Sequence, residues 1–98
     1  MLDVKIFEAK ADKLKAISHP HRLCIIKGLM ESSCNVSKIQ ECLQIPQSTV
    51  SQHISKLKAA GIIEGVRNGL EICYSVVDED IREIVDIIAK DIDIHVMK

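Results

Sequence analysis

Apolar residues recur along most of this chain with the period of a helix. Phe7, Ala11, Leu14 and Ile17 are spaced four, three and three with Lys and Asp between them, which predicts a first amphipathic helix over residues 3–17. It ends at His19-Pro20. Pro20 suits the first turn of a second helix, whose stripe of Leu23, Ile26, Leu29 and Met30 runs to Glu31 before Ser32-Ser33 stops it. A short third helix is expected over Ser37–Leu43 with Val36, Ile39 and Leu43 inward, and Gln44-Ile45-Pro46 reads as a tight turn. Between Gln47 and Ala60 the apolar positions are Val50, Ile54 and Leu57, and Gly61 follows where a helix end favours a left-handed residue.

The period then changes. Ile62-Ile63-Glu64 and Val66-Arg67 lead into Asn68-Gly69, and Leu70 to Val76 alternates in strand fashion, so a hairpin is expected around the Asn-Gly pair. Ile81, Ile84, Val85, Ile88 and Ile92 define a last helix with one apolar face. The expected architecture is mainly α with a small β-hairpin, in the order α-α-α-α-β-β-α. Residues 1–98 read as one domain, without internal repeats or low-complexity segments.

Two helices joined by a short turn and followed at once by a hairpin form a winged helix-turn-helix. Double-stranded DNA is the natural ligand of such a unit, which needs hydrogen-bonding side chains on an exposed helix face and donors to phosphate beside them. Gln47, Ser48, Thr49, Ser51, Gln52 and His53 supply the first, and Lys56, Lys58 and Arg67 the second. The alternative is a winged helix that binds another protein and does not bind DNA.

Composition narrows the picture further. With 47% apolar residues, 28% charged, four glycines and two prolines, the chain is built to fold. A chain this short has a marginal core of its own, so another subunit is expected to cover part of its apolar surface. Ile supplies 16 residues, while Phe7 and Tyr74 are the only aromatics, which argues against a stacking platform for single-stranded nucleic acid. The net charge of −1 conceals an asymmetry: residues 1–70 hold ten Lys/Arg against six Asp/Glu, residues 71–98 three against eight. A polyanion would meet the first part of the chain. Asp86 breaks the densest apolar stretch, so no membrane span is expected. No glycine-rich phosphate loop, GxSxG or HExxH pattern occurs, and an enzyme is not expected. The polar start MLDVKIFEAK carries no hydrophobic signal segment, which favours the cytoplasm.

The runs LKAISHPHRLCII (14–26) and VSKIQECLQIPQSTVSQHISKLKAAGII (36–63), with the hairpin through Tyr74-Ser75-Val76, resemble the ArsR/SmtB family of bacterial winged-helix repressors. The most specific piece is STVSQHISKLKAAGI (48–62), which is similar to the family's recognition helix. The resemblance implies a homodimer, paired through its first and last helices, that sits on a two-fold symmetric operator and releases it when an inducer binds. Family wings often carry several basic residues, whereas here Glu64 and Glu71 accompany Arg67.

The inducer is less legible. Metal-sensing members often carry Cys-x-Cys at the start of the third helix, where this chain has Asn35-Val36-Ser37; Cys34 lies one residue outside and Cys42 further along. A second family site, Asp-x-His with His-x-x-Glu, matches Asp78, Asp80, Asp91 and Ile94, a set poorly suited to zinc. Sulfur-sensing relatives pair a second-helix Cys with one on the last helix, and residues 77–98 contain no Cys. Three readings of the cysteines therefore stay open. Cys24, Cys34 and Cys42 are candidate sensing residues, either as soft-metal thiolates or, for Cys24 near Arg22 and Lys27 and for Cys34 in a polar stretch, as reactive thiols. Cys42 and Cys73 also fit burial as small hydrophobes. A soft metal ion is the only cofactor suggested, with none as the alternative. His19 and His21 read as surface or capping residues, His53 as DNA-facing and His95 as solvated.

Overall fold

A computed structural model of the chain describes residues 3–31 and 36–92. Its elements are α1 (Val4–Ile17), α2 (Pro20–Glu31), α3 (Val36–Leu43), α4 (Gln47–Ala59), β1 (Ile63–Asn68), β2 (Glu71–Val76) and α5 (Glu79–Ile88), in the expected order. The two strands pair antiparallel from Ile63 opposite Val76 to Asn68 opposite Glu71.

Local chemistry sets the helix starts. The Asp3 carboxylate accepts the Lys5 backbone N–H at 2.9 Å and caps α1. At the start of α2, Nδ1 of His19 accepts the His21 N–H at 3.1 Å, while Pro20 fills the first helical position, where a missing N–H leaves nothing unpaired. Asp78 caps α5 by accepting the Ile81 N–H at 3.0 Å, and it also meets Lys13 Nζ at 2.6 Å, which ties α1 to α5. The Lys13 hydrogen bond holds the Asp78 carboxyl below the ordinary carboxylate range.

The core is aliphatic. Ile25, Ile26 and Leu29 of α2 lie at its centre, packed against Ile39 of α3, Leu57 of α4 and Val85 of α5. Ile62, Ile63 and Val76 extend it to the base of the hairpin. Each fully buried side chain of this kind contributes about 1.5–3 kcal/mol relative to exposure. Tyr74 only borders this core, and Phe7 stands 57% exposed.

In α1 only Ile17 is buried, while Val4, Ile6, Phe7 and Leu14 are exposed. Two expectations are corrected. The last helix ends at Ile88 rather than reaching Ile92, and it has two apolar faces: Ile81 and Val85 turn inward, followed by buried Ala89 at its cap, while Ile87 and Ile88 face out, with Ile92 exposed beyond its end. The hairpin loop is Gly69-Leu70, not Asn68-Gly69, since Asn68 is still paired with Glu71. Gly69 alone takes a positive φ in that loop, +69°, the pattern of a type II′ turn with Gly first.

Candidate nucleic-acid interface

The turn between α3 and α4 rests on one unusual backbone position. Gln44 adopts φ 55°, the one non-glycine positive φ among the described residues, and its N–H closes α3 on the Gln40 carbonyl at 2.9 Å. Pro46 then caps α4 in an extended conformation, its carbonyl accepting the Thr49 N–H at 3.0 Å and the Val50 N–H at 3.2 Å. Its side chain offers no acceptor, so the Gln47 and Ser48 amides of the first turn have no side-chain cap.

At its far end α4 stops on a complete Schellman motif. The Gly61 N–H bonds the Lys58 carbonyl at 2.9 Å and the Ile62 N–H reaches back to Leu57 at 3.0 Å, with Gly61 at φ +75°. Leu57 and Ile62, both fully buried, supply the accompanying apolar contact. This motif aims the chain directly into β1 and so couples the position of the wing to that of the helix.

Val50, His53, Ile54 and Leu57 turn inward from α4. Opposite them, Gln47, Ser48, Ser51, Gln52, Lys56 and Lys58 are exposed, and Thr49 is half-buried. Ser48, Gln52 and Ser55 follow one another at spacings of four and three along the outermost line, a ridge without apolar side chains. Ser55, exposed like the others, was missed in the sequence; the Ser48–Gln52 spacing extended by three residues points to it.

Between α4 and the hairpin runs a cleft of about 460 Å³, lined by Gln47, Ser51, Ser55 and Lys58 on one side and Ile72 and Tyr74 on the other. Lys58 Nζ lies 6.0 Å from the Tyr74 ring centre, which links the end of α4 to the wing. Gly65 pairs opposite Tyr74, and a Cβ there would stand 2.8 Å from the Tyr74 ring, so only glycine lets the ring lie across β1. Arg67 is exposed on β1 and is flanked by exposed Glu64 and Glu71.

One expected DNA-facing residue does not belong to this surface. His53 is only 9% exposed and packs against His19 and His21, with ring centres 4.6 and 5.6 Å away. Its position three residues after Val50 and four before Leu57 places it on the apolar stripe, and that spacing was the available signal. Burial first, then the charges of Arg22 and Lys56 beside the neighbouring imidazoles, holds His19 and His53 below the ordinary histidine value. His19 meets the expectation of a capping residue.

Of the three candidate sensing residues, the structure describes the side chain of Cys24. Cys24 is half-buried in an apolar pocket of about 320 Å³ with Leu23, Lys27, Ile88 and Ile92. Cys34 and the Cys42 side chain lie outside the described residues. Cys73 is half-buried on β2 and takes part in a disulfide, rather than packing as a small hydrophobic thiol. Asp78 is committed to its cap and to Lys13, Asp80 pairs with Lys10 at 3.7 Å, and Asp91 is exposed; this carboxylate set does not fit a zinc site, and Ile94 lies outside the described residues. No helix among the described residues is long and apolar enough to cross a membrane.

Comparison with known proteins agrees with this geometry. Residues 19–64 match the family described as "Bacterial regulatory protein, arsR family". The chain is 38% identical over 81 residues to the HTH-type transcriptional repressor SmtB of Mycobacterium tuberculosis, an alignment covering 83% of this chain and 60% of that protein. It therefore spans about three-fifths of that relative's length. With the transcriptional repressor PagR of Bacillus anthracis it shares 38% identity over 82 residues, 83% of this chain and 82% of PagR. The crystal structure of PagR superposes with a TM-score of 0.77 at 36% identity, covering 88% of this chain and 99% of that one. The transcriptional repressor BigR of Xylella fastidiosa gives a TM-score of 0.77 at 29% identity, covering 91% of each chain.

Proposed function

The chain belongs to the arsR family of bacterial regulatory proteins, and from that premise we propose that it is a dimeric transcriptional repressor that holds a two-fold symmetric DNA operator. The observation that carries this reading is the outer face of α4: a polar ridge without apolar side chains, set behind a tight turn and held rigidly by a buried face. A surface built to dock another protein would be expected to offer apolar or aromatic anchors there. Ser48, Thr49 and Gln52 read base edges, with Gln47 and Ser51 at the wing side of the same helix. Lys56, Lys58 and Arg67 hold phosphates. His53 supports α4 from behind.

The exposed apolar side chains of α1 and α5 support the dimer. Phe7 and Leu14 of α1, Ile87 and Ile88 of α5 and Ile92 just beyond it are between 49% and 66% exposed, and large apolar side chains left open together on a surface mark an interaction site. Pairing through them leaves both α4 helices free for successive turns of the duplex. A cytoplasmic repressor of this kind is released by an inducer, a soft metal or a thiol-reactive species acting through Cys24, Cys34 or Cys42.

Fluorescence anisotropy on a labelled promoter fragment tests the reading. With six phosphate contacts per dimer, the logarithm of affinity should fall against the logarithm of salt with a slope of about −5, a loss of roughly 10³ between 50 and 200 mM salt. Absence of salt-dependent DNA binding would leave the protein-interaction alternative in place. Repeating the measurement with cadmium or arsenite and, separately, a polysulfide separates a metal from a thiol-reactive inducer.

A further inference from the structure

His19, His21 and His53 come from two stretches of chain about thirty residues apart and meet side by side. One ligand nitrogen from each lies within 4.8 Å of the other two. From this convergence we propose that the three imidazoles form a binding site for a divalent transition ion of the zinc type, joining the start of α2 to the inner face of α4.

The unpaired nitrogens carry the argument. Nδ1 of His21 and Nδ1 of His53 are buried and find no hydrogen-bond partner among the described residues. Buried polar atoms are almost always satisfied, and an ion coordinated through these two nitrogens would satisfy both at once. Simple packing of three rings explains their contact but leaves these two atoms orphaned. Tetrahedral coordination with Zn–N bonds of about 2.0–2.1 Å needs nitrogens about 3.4 Å apart, so from separations of up to 4.8 Å the rings draw together by up to about 1.4 Å through side-chain rotation.

His19 enters on different terms. Its Nδ1 already accepts the His21 backbone N–H, so coordination gives up that contact by either route: through Nδ1 the ion takes the accepting lone pair, and through Nε2 the ring proton moves to Nδ1 and leaves no acceptor there. Three imidazoles leave a fourth position for water. Arg22 and Lys56 stand close enough to act on these rings electrostatically, and they repel any incoming cation. That repulsion selects by chemistry: hard ions such as Mg²⁺ and Ca²⁺ gain little from imidazole, whereas Zn²⁺, Ni²⁺ and Cu²⁺ form strong bonds to it.

An occupied site clamps α4 against the α1–α2 junction and so biases the angle of the helix that carries Ser48 and Gln52. This coupling rests on the DNA-binding reading above; the site does not. Chelator-treated full chain titrated with Zn²⁺ should take up one ion per chain. Titrated with Co²⁺, it should show the visible absorption of a tetrahedral ion with nitrogen and oxygen ligands, without sulfur-to-cobalt charge transfer. His21→Gln and His19→Asn, the second keeping a capping acceptor, should each weaken uptake at least about tenfold, the smaller loss seen when even an outer partner of a metal ligand is removed. No uptake, sulfur charge transfer, or uptake unaltered by both substitutions would overturn the site. Zn²⁺ should also shift DNA affinity in the parent and not in His21→Gln, and an unchanged affinity in the parent overturns the coupling. If histidine-dependent Zn²⁺ uptake persists in a chain that binds no DNA, the repressor reading falls and the site stands.

Discussion

The recognition helix and the wing lie next to each other and are built in opposite ways. Helix α4 presses four side chains into the core and closes on a Schellman motif whose two apolar residues are fully buried. The hairpin is anchored only at its base by Ile63 and Val76, and Leu70 at its tip is completely exposed. Regions with few buried contacts open at low free energy, so the wing should open more readily than α4. Charge follows the same division: two lysines lie in the last turn of α4, where they also complement the helix dipole, whereas Arg67 shares the wing with Glu64 and Glu71. Sequence discrimination is thus assigned to the rigid element.

The contrast breaks most readily through stability. Leu57→Ala should destabilise the chain by about 2–5 kcal/mol, because it opens a cavity at the point where helix, cap and core meet. Val66→Ala on the wing, 62% exposed, should stay within about 0.5 kcal/mol. Urea melts followed by circular dichroism check both, and equal losses would mean that the wing is as firmly built as the helix.

Next in size is the loss of base discrimination. Gln52→Ala should relax preference at about one base pair per half-site, by roughly 1–3 kcal/mol, since the side chain leaves the outer ridge of α4 without disturbing its buried face. Anisotropy against a panel of single-base operator variants reads this directly. A variant that discriminates as the parent does would remove Gln52 from the base-reading set.

Gly61 and Gly69 provide a matched pair, with φ of +75° and +69° and open space where a Cβ would stand. Alanine at either position meets a local strain of about 1–2 kcal/mol. At Gly61 it should appear as lost global stability, because the Schellman motif joins α4 to β1. At Gly69 it should appear chiefly as faster amide exchange in the hairpin, with the melting midpoint little changed. Hydrogen exchange measured alongside the melts distinguishes the two.

The smallest effect is expected from the wing charge. Arg67→Ala should reduce the salt slope by about 1 per subunit and weaken all sequences equally, leaving discrimination intact. If instead it altered preference among operator variants, the wing would be reading bases and the assignment of specificity to α4 alone would be wrong.

Much of this was legible from the residues. Pro20, Gly61 and the periods of 3.6 and 2 placed every element, because caps and turns obey short-range geometry that a linear sequence displays. Val50, Ile54 and Leu57 identified the inner face of α4, and the polar line opposite followed from them. His53 was assigned to the wrong face because its polarity outweighed its spacing, although that spacing matched the apolar stripe. Phe7, Leu14, Ile88 and Ile92 read as parts of apolar faces, but periodicity reports only that a face is apolar, without saying whether the same chain or a second subunit covers it.

The residues in their order established the element types, the winged helix-turn-helix and the polar ridge of α4, all of which depend on interactions between near neighbours in the chain. The meeting of His19 and His21 with His53, and the division of α5 into inner and outer apolar faces, belong to the folded molecule. They arise from the way α2, α4 and α5 pack, and packing joins atoms whose separation along the chain carries no local signal.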